Sequence, residues 1–312
     1  MRVAVVGVGA WGKNHVRNLH EMDSLGAIVE ASAETRAALK DEYPGVPVWE
    51  NIDKLLESDI PAAIVVTPAL THYDIGIELL QGGKDVFIEK PMTLRALHAE
   101  DLVDTADKLD RVLMVGHLLL YQPAIQWMRS ALNDGMIGKV HSIHQHRLGL
   151  GRARSAENVL WSLGVHDVAV VLYLLGESPT KLNITGHRVL QTDVEDDIYL
   201  HLSFPECVQT HLHCSWLWPK KDRGMVIVGK DAMLEYNEAD QVVTLHKKTI
   251  GADLKNADNG SEVIYQGSGQ PLRLELEHFI KCCEEHQTPI SDGRNGLEVI
   301  RIMQETIEKL RS

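Results

Sequence analysis

Three short stretches carry side chains suited to chemistry. The first is Gly7-Val8-Gly9-Ala10-Trp11-Gly12, a glycine-rich loop that follows an apolar run and opens a helical pattern. Glycines at that spacing allow a tight turn and a close approach of backbone to a pyrophosphate, which rests on the helix N-terminus. Ala10 and Trp11 belong to the same loop. Glu30 follows about 20 residues later, where a carboxylate accepts from both ribose hydroxyls and repels a 2′-phosphate. That favours NAD over NADP. The second stretch is Glu89-Lys90-Pro91, which ends the apolar run Val86-Phe87-Ile88. A lysine at a strand end on a ligand crevice donates to a substrate hydroxyl or carbonyl oxygen. The third is His166-Asp167 at the start of an apolar helix. A neutral histidine there suits a general base, and Asp167 would orient it or cap the helix.

These residues need elements to hold them. The first third of the chain alternates short apolar runs with helical patterns: RVAVVGV, AIVEA, AAIVVT, DVFIEK and RVLMVGH alternate with stretches such as THYDIGIELLQGG. Such alternation predicts βαβ units and a parallel sheet covered on both faces. Thr67-Pro68 ends one of these strands, and His72 opens the next helix, so both fall at the crevice edge. Near residue 118 the pattern changes. In DIYLHLSF, Ile198, Leu200, Leu202 and Phe204 share one face, and VQTHLHCSW behaves similarly. Period-two patterning predicts a second sheet, antiparallel or mixed, with one open face. The expected fold class is α/β, with an NAD-binding domain over 1–118 and a substrate-binding and oligomerisation domain over 119–312. Two helices, near Leu272–His286 and Gly296–Leu310, close the chain.

Composition narrows the function classes. With 31 basic against 44 acidic residues, net charge −13, a nucleic-acid or anionic-membrane binder is disfavoured. No run reaches the length of a membrane span, and the N-terminus lacks a cleavage site. The four cysteines form no C-x-x-C, which fits reduced thiols and a soluble, cytoplasmic protein. Against this acidic background, HRLGLGRARSAENVLW concentrates Arg147, Arg152 and Arg154 just before His166. Guanidinium groups suit a diphosphate. Lys220, Lys221 and Arg223 follow Trp216 and Trp218 in a second basic stretch that either faces a sugar nucleotide or ends a hairpin.

Taken together, the chain resembles the Gfo/Idh/MocA family of nicotinamide-dependent sugar oxidoreductases. The resemblance runs over nearly the whole length. It rests on the glycine loop, Val66-Thr67-Pro68 with His72, the segment Gly83 to Pro91 ending in Glu-Lys-Pro, Val115-Gly116-His117 with Tyr121 and Pro123, Gly164-Val165-His166-Asp167, and Pro289 to Gly293. It implies a Rossmann domain followed by an α/β domain with a large open-faced mixed sheet that often mediates oligomers, here a homodimer or homotetramer. Carried onto this sequence, Lys90 is the catalytic lysine and His166 the catalytic base. Glu89 and His72 join the cofactor site. His117, Tyr121, Asn158 and Trp161 join the substrate site with the three arginines. The Lys90-Pro91 bond is often cis in the family. Many members carry an aspartate four residues before the histidine, where this chain has Ser162.

The style of HRLGLG…ENVLWSLGVHD and SWLWP is most similar to the branch acting on UDP-N-acetyl sugars. This implies oxidation of the C3 hydroxyl of UDP-N-acetylglucosamine with NAD, ahead of an aminotransferase. A UDP-N-acetylglucosaminuronate, a free polyol or aldose, NADPH-dependent reduction of a keto sugar and a non-catalytic regulator are the alternatives. His141, His144, His146, His211 and His213 supply H-x-H pairs of a kind that binds zinc, but no acidic or cysteine partner shows ligand spacing, and no metal is expected.

Overall fold

The computed structural model describes residues 1–151, 153–155 and 157–311. The chain divides into two compact units, one of Met1–Leu118 with Pro271–Arg301, the other of Leu119–Gln270 with the chain from Ile302 onward.

The first unit holds a six-stranded sheet, all parallel, in the order β3-β2-β1-β4-β5-β6. The strands are β1 (Val3–Val6), β2 (Leu25–Val29), β3 (Val48–Trp49), β4 (Ala62–Val65), β5 (Asp85–Ile88) and β6 (Leu113–Val115). Every residue of β1, β2, β4, β5 and β6 is buried, as a sheet covered on both faces requires. The crossovers are α1 (Gly12–Glu21), α2 (Ala33–Glu42), the short α3 (Asp53–Leu56), α4 (His72–Gln81) and α5 (Ala96–Leu109). The order reverses between β1 and β4, and the ends of those strands flank the ligand crevice of such sheets.

The sequence reading assigned everything after residue 118 to the second unit. The segment 271–301 instead belongs to the first. Its helix α8 (Pro271–Glu285) packs beside α1, with Leu276, Phe279, Cys282 and Cys283 buried. The Phe279 ring meets Phe87 of β5 edge-on at 5.7 Å. A chain can return to an earlier domain whenever it brings a matching apolar face, and sequence order does not reveal which core receives it.

The second unit is built on an eight-stranded mixed sheet, ordered β14-β13-β12-β11-β7-β10-β9-β8. Its strands are β7 (Val140–Leu148), β8 (Lys181–His187), β9 (Asp197–Ser203), β10 (Gln209–Ser215), β11 (Asp222–Gly229), β12 (Met233–Asn237), β13 (Val242–Ile250) and β14 (Asn256–Gln266). Only β7 and β10 run parallel. The helices α6 (Pro123–Asn133) and α7 (Val165–Leu175) belong to this unit, and α9 (Gly293–Arg311) crosses the division of the chain. As expected, Ile198, Leu200, Leu202 and Phe204 are buried, and alternate residues face outward. Gln145 lies on the buried face, its amide donating to the Asp167 carbonyl at 3.3 Å. His144, His211 and His201 sit side by side across β7, β10 and β9.

Candidate active site

The glycine loop joins β1 to α1. Gly7 takes φ +92°, and a Cβ on Gly12 would lie 2.2 Å from the Gly7 carbonyl oxygen, so no other residue fits either position without moving backbone. Gly9 has nothing within 4 Å of where its Cβ would be, and Gly9, Ala10 and Trp11 are exposed. The loop is thus open on the side a ligand would approach. No side chain caps the ten-residue α1, and its first turn carries no acidic residue. Its free N–H groups and positive dipole end suit a pyrophosphate.

Glu30 lies just past β2. One carboxylate oxygen accepts from Val8 N at 2.8 Å, the other from Ser32 N at 2.8 Å. The residue braces the glycine loop and keeps lone pairs for ribose hydroxyls. Thr67 follows β4, and its methyl sits 2.8 Å from where a Gly7 Cβ would be, closing the floor of the loop. Pro68 is exposed beside it. His72 is buried, with its ring nitrogens 2.9 Å from Pro91 O and 2.8 Å from Thr67 O. Both nitrogens face backbone carbonyl oxygens, and in either tautomer the ring N–H donates to one of them. The expected cofactor contact of His72 becomes a staple holding the Thr67 and Pro91 turns together.

Lys90 stands at the end of β5, half-buried, ahead of a cis peptide bond to Pro91. Its neighbour Glu89 is turned inward and 8% exposed. One Glu89 oxygen accepts from Trp11 Nε1 at 2.7 Å and lies 2.8 Å from His15 Nε2, and the other accepts from Lys90 N at 3.0 Å. Burial pushes the Glu89 carboxyl up, but His15, Trp11 and the Lys90 amide outweigh it and hold the net below the ordinary carboxylate range. Glu89 thereby ties α1 to the strand end that carries Lys90. Beyond β6, His117 is 1% exposed, and neither ring nitrogen has a hydrogen-bond partner among the described residues. Burial pulls its pKa down to about 4, assisted by the Lys90 charge and opposed by Glu89. It is a neutral imidazole at physiological pH.

Sequence reasoning missed Glu275. It is wholly buried on α8, and neither carboxyl oxygen has a partner among the described residues. Burial, with the Glu89 charge added, drives its pKa well above the usual range and favours the neutral acid. The signal was present: Leu272, Glu275, Leu276 and Phe279 follow helical spacing, so an acid stands in an apolar stripe.

In the second unit, a π-turn over Leu160–Gly164 leads into α7, a form enriched at functional sites. Asn158 Oδ1 accepts from Trp161 N at 3.1 Å, and its amide donates to Glu195 at 3.2 Å. Asn158 is thus a buried helix-start clamp rather than a ligand contact. Gly164 lies so close to β10 that a Cβ would sit 2.8 Å from Cys214 Sγ. This close approach fixes the first turn of α7, where His166 is half-buried. Trp161 is 8% exposed, and its indole N–H has no partner among the described residues. Tyr121, expected at the substrate, is 1% exposed and belongs to the core.

The arginines also differ from expectation. Arg147 is 4% exposed and donates to Asp167 Oδ1 at 3.0 Å and to both Glu238 oxygens at 3.2 and 2.6 Å. Burial alone would pull the guanidinium pKa down, but the two carboxylates raise it above its ordinary value. Burial pushes Asp167 up against the pull of Arg147, and Glu238 is held low by Arg147 and Arg223 despite its own burial. Arg147 is therefore a structural cation whose fork is filled by protein. Asp167 is committed to it and does not cap the helix by a side-chain bond. Arg152 lies outside the described residues. Arg154, half-exposed, lines a cavity with Ser162. No group of three or more His, Cys, Asp or Glu that could hold a metal occurs among the described residues. No helix among them is long and apolar enough to cross a membrane.

A parallel sheet with an open glycine loop, a carboxylate at the end of β2 and a lysine at the end of β5 defines a dinucleotide-dependent oxidoreductase. Residues 1–117 match the oxidoreductase family with an NAD-binding Rossmann fold, and residues 125–235 match the GFO/IDH/MocA C-terminal domain. The chain belongs to the Gfo/Idh/MocA oxidoreductase family, and its cofactor is NAD. It is 26% identical over 301 residues to UDP-N-acetylglucosamine 3-dehydrogenase of Acidithiobacillus ferrooxidans, covering 96% of this chain and 94% of that one. The solved structure of that enzyme superposes with a TM-score of 0.88, covering 99% and 97% of the two chains. It is also 28% identical over 328 residues to scyllo-inositol 2-dehydrogenase (NAD(+)) of Bacillus subtilis, covering 96% and 92%. A levoglucosan dehydrogenase solved with NADH and levoglucosan shares the fold, with a TM-score of 0.87 at 17% identity over 100% and 97%.

Proposed function

We propose that the protein oxidises the C3 hydroxyl of UDP-N-acetylglucosamine to the 3-keto sugar with NAD, and that an aminotransferase consumes the product. One observation carries the reading: the likeness to UDP-N-acetylglucosamine 3-dehydrogenase extends over 96% of this chain and 94% of that one, through both the cofactor and the substrate unit. In this reading His166 takes the hydroxyl proton as the general base. Lys90 donates a hydrogen bond to the same oxygen and steadies the charge that develops on it. The glycine loop and the α1 N-terminus hold the cofactor pyrophosphate, and Glu30 holds its ribose. Bound there, the nicotinamide would supply the hydride acceptor for C3. Glu89 and His72 act by fixing the Lys90 turn, so their effect is on orientation rather than proton transfer. Ser162 carries no charge, so proton removal rests on His166. Homo-oligomers formed through the open sheet face accompany this reading.

The test is a panel of UDP-sugars scored by NADH formation, coupled to a 3-aminotransferase because ketone formation at C3 is uphill. NADH and aminated product from UDP-N-acetylglucosamine are expected. Turnover of free inositol with none of any UDP-sugar would replace the reading with a polyol dehydrogenase, which the 28% identity to the inositol enzyme supports as the second reading.

A further inference from the structure

The second unit contains a cavity of about 270 Å³ whose charge is at odds with the rest of the chain. Its wall includes Arg154, Lys221 and Arg223, and none of its lining residues is acidic. In a protein of net charge −13 this is a local reversal. Lys221 is exposed, with no ion-pair partner among the described residues, whereas the adjacent Lys220 is paired with Asp222 at 3.5 Å. Arg223 is tethered by Glu238 at 3.4 Å. The tether presets the guanidinium. The backbone of Gly149 and Gly151 forms another side of the cavity, close to Lys221 and Trp216.

The far wall is Ser162, one helical turn before His166. A carboxylate at this position would oppose an anion entering among three cations, and the serine removes that repulsion. The volume falls just short of the roughly 300–1,000 Å³ that encloses a whole small ligand, so it suits one end of a larger molecule. Three cations line the cavity, Arg154 near Glu157 at 3.9 Å and Arg223 held by Glu238 at 3.4 Å while Lys221 stays exposed, a set that favours an anion carrying more than one charge, and the arginine forks suit phosphoryl oxygens.

We infer that this cavity is the diphosphate cradle of the substrate, with Lys221, Arg223 and Arg154 as its specificity-determining cations and the sugar directed past Ser162 toward His166. The inference rests on the UDP-sugar reading and deepens it. Arg147, which sequence spacing offered for this role, serves as the foundation: it holds Glu238, and Glu238 holds Arg223.

The experiment measures UDP and uridine binding by calorimetry to protein saturated with NADH, so that the glycine loop is already filled. UDP is expected to bind, to weaken as salt rises, and to lose about tenfold in affinity in Lys221→Ala and again in Arg154→Ala, with a larger loss in Lys221→Glu. Uridine, lacking the diphosphate, should bind weakly and equally to all. Both substituted side chains are on the surface, so folding is not at stake, and circular dichroism checks it. UDP binding equally to wild type and variants overturns the cradle while leaving the UDP-sugar reading in place. Absence of UDP binding to the wild type overturns both. Variant-sensitive UDP binding, with no NADH formed from any UDP-sugar, supports the cradle and sinks the proposed reaction.

Discussion

Replacing Arg147 by Met tests the buried charge network beneath α7 most directly. Wild type balances Arg147 and Arg223 against Asp167 and Glu238. Removing Arg147 leaves Glu238 with Arg223 at 3.4 Å, but leaves the Asp167 side chain, only 5% exposed, without its hydrogen-bonded cation and with only the weaker pull of Arg223. The cheapest response is to protonate Asp167. From an ordinary carboxylate value of about 3.9, protonation at pH 7 costs about 4 kcal/mol at 1.36 kcal/mol per unit, an upper bound because burial already raises the Asp167 carboxyl in wild type. This agrees with the roughly 3–5 kcal/mol measured when one partner of a buried pair is removed. The pH dependence follows from the same arithmetic. In the variant the native state holds a proton that the unfolded chain lacks, so its stability falls as pH rises above about 4. At pH 5 the penalty shrinks to about 1.5 kcal/mol. Urea unfolding followed by tryptophan fluorescence at the two pH values gives both numbers. Adding Asp167→Asn should restore most of the loss at pH 7 and remove its pH dependence. A loss under about 1 kcal/mol at pH 7, or one that does not lessen at pH 5, would refute the reasoning.

Four further outcomes follow from the geometry. Lys90→Ala and His166→Ala should each lower turnover by about 10²–10⁴ while NADH affinity, read by fluorescence titration, stays within a few-fold; intact turnover would remove them from the chemistry. Gly12→Ala should cost NADH at least tenfold in affinity, because its Cβ would collide with the Gly7 carbonyl oxygen. Glu275→Gln should gain stability over wild type increasingly as pH rises from 5 to 8: the native carboxyl pKa is raised, so wild type loses stability upward through that range and the amide does not. Parallel melting curves across pH would exclude a buried neutral acid there. His117→Gln should flatten the acid limb between about pH 6.5 and 4, where wild type loses about 3 kcal/mol as the unfolded histidine takes up a proton that the buried ring resists.

Periodicity made much of the architecture legible. Continuous apolar runs gave the parallel strands, and the alternation of Ile198, Leu200 and Leu202 gave the mixed sheet. Spacing was equally good for the glycine loop and for the edge positions of Thr67 and Lys90, since strand ends follow from strand order. It failed where a residue's partner is distant in sequence. Nothing near Arg147 announces Glu238, 91 residues away, so a structural guanidinium read as a ligand contact. His72 read as a cofactor contact because Pro91, its acceptor, lies 19 residues beyond. The same limit hid the return of α8 to the first unit and the meeting of Lys221 with Ser162 at one cavity. Polar side chains at special sites announce their type in sequence, but only the fold shows which of them are already spent.

Glu30 bears on how this protein could acquire a different cofactor. The carboxylate expected to select the ribose also clasps Val8 N and Ser32 N, one on each side of the crevice end of β2. In the proposed reading, selection and scaffolding reside in one side chain. An evolutionary or engineered change toward NADP therefore cannot proceed by exchanging Glu30 alone, since the first step loosens the loop that binds either dinucleotide. A viable path begins with a neutral change that secures Val8 by other means, and only then releases the glutamate.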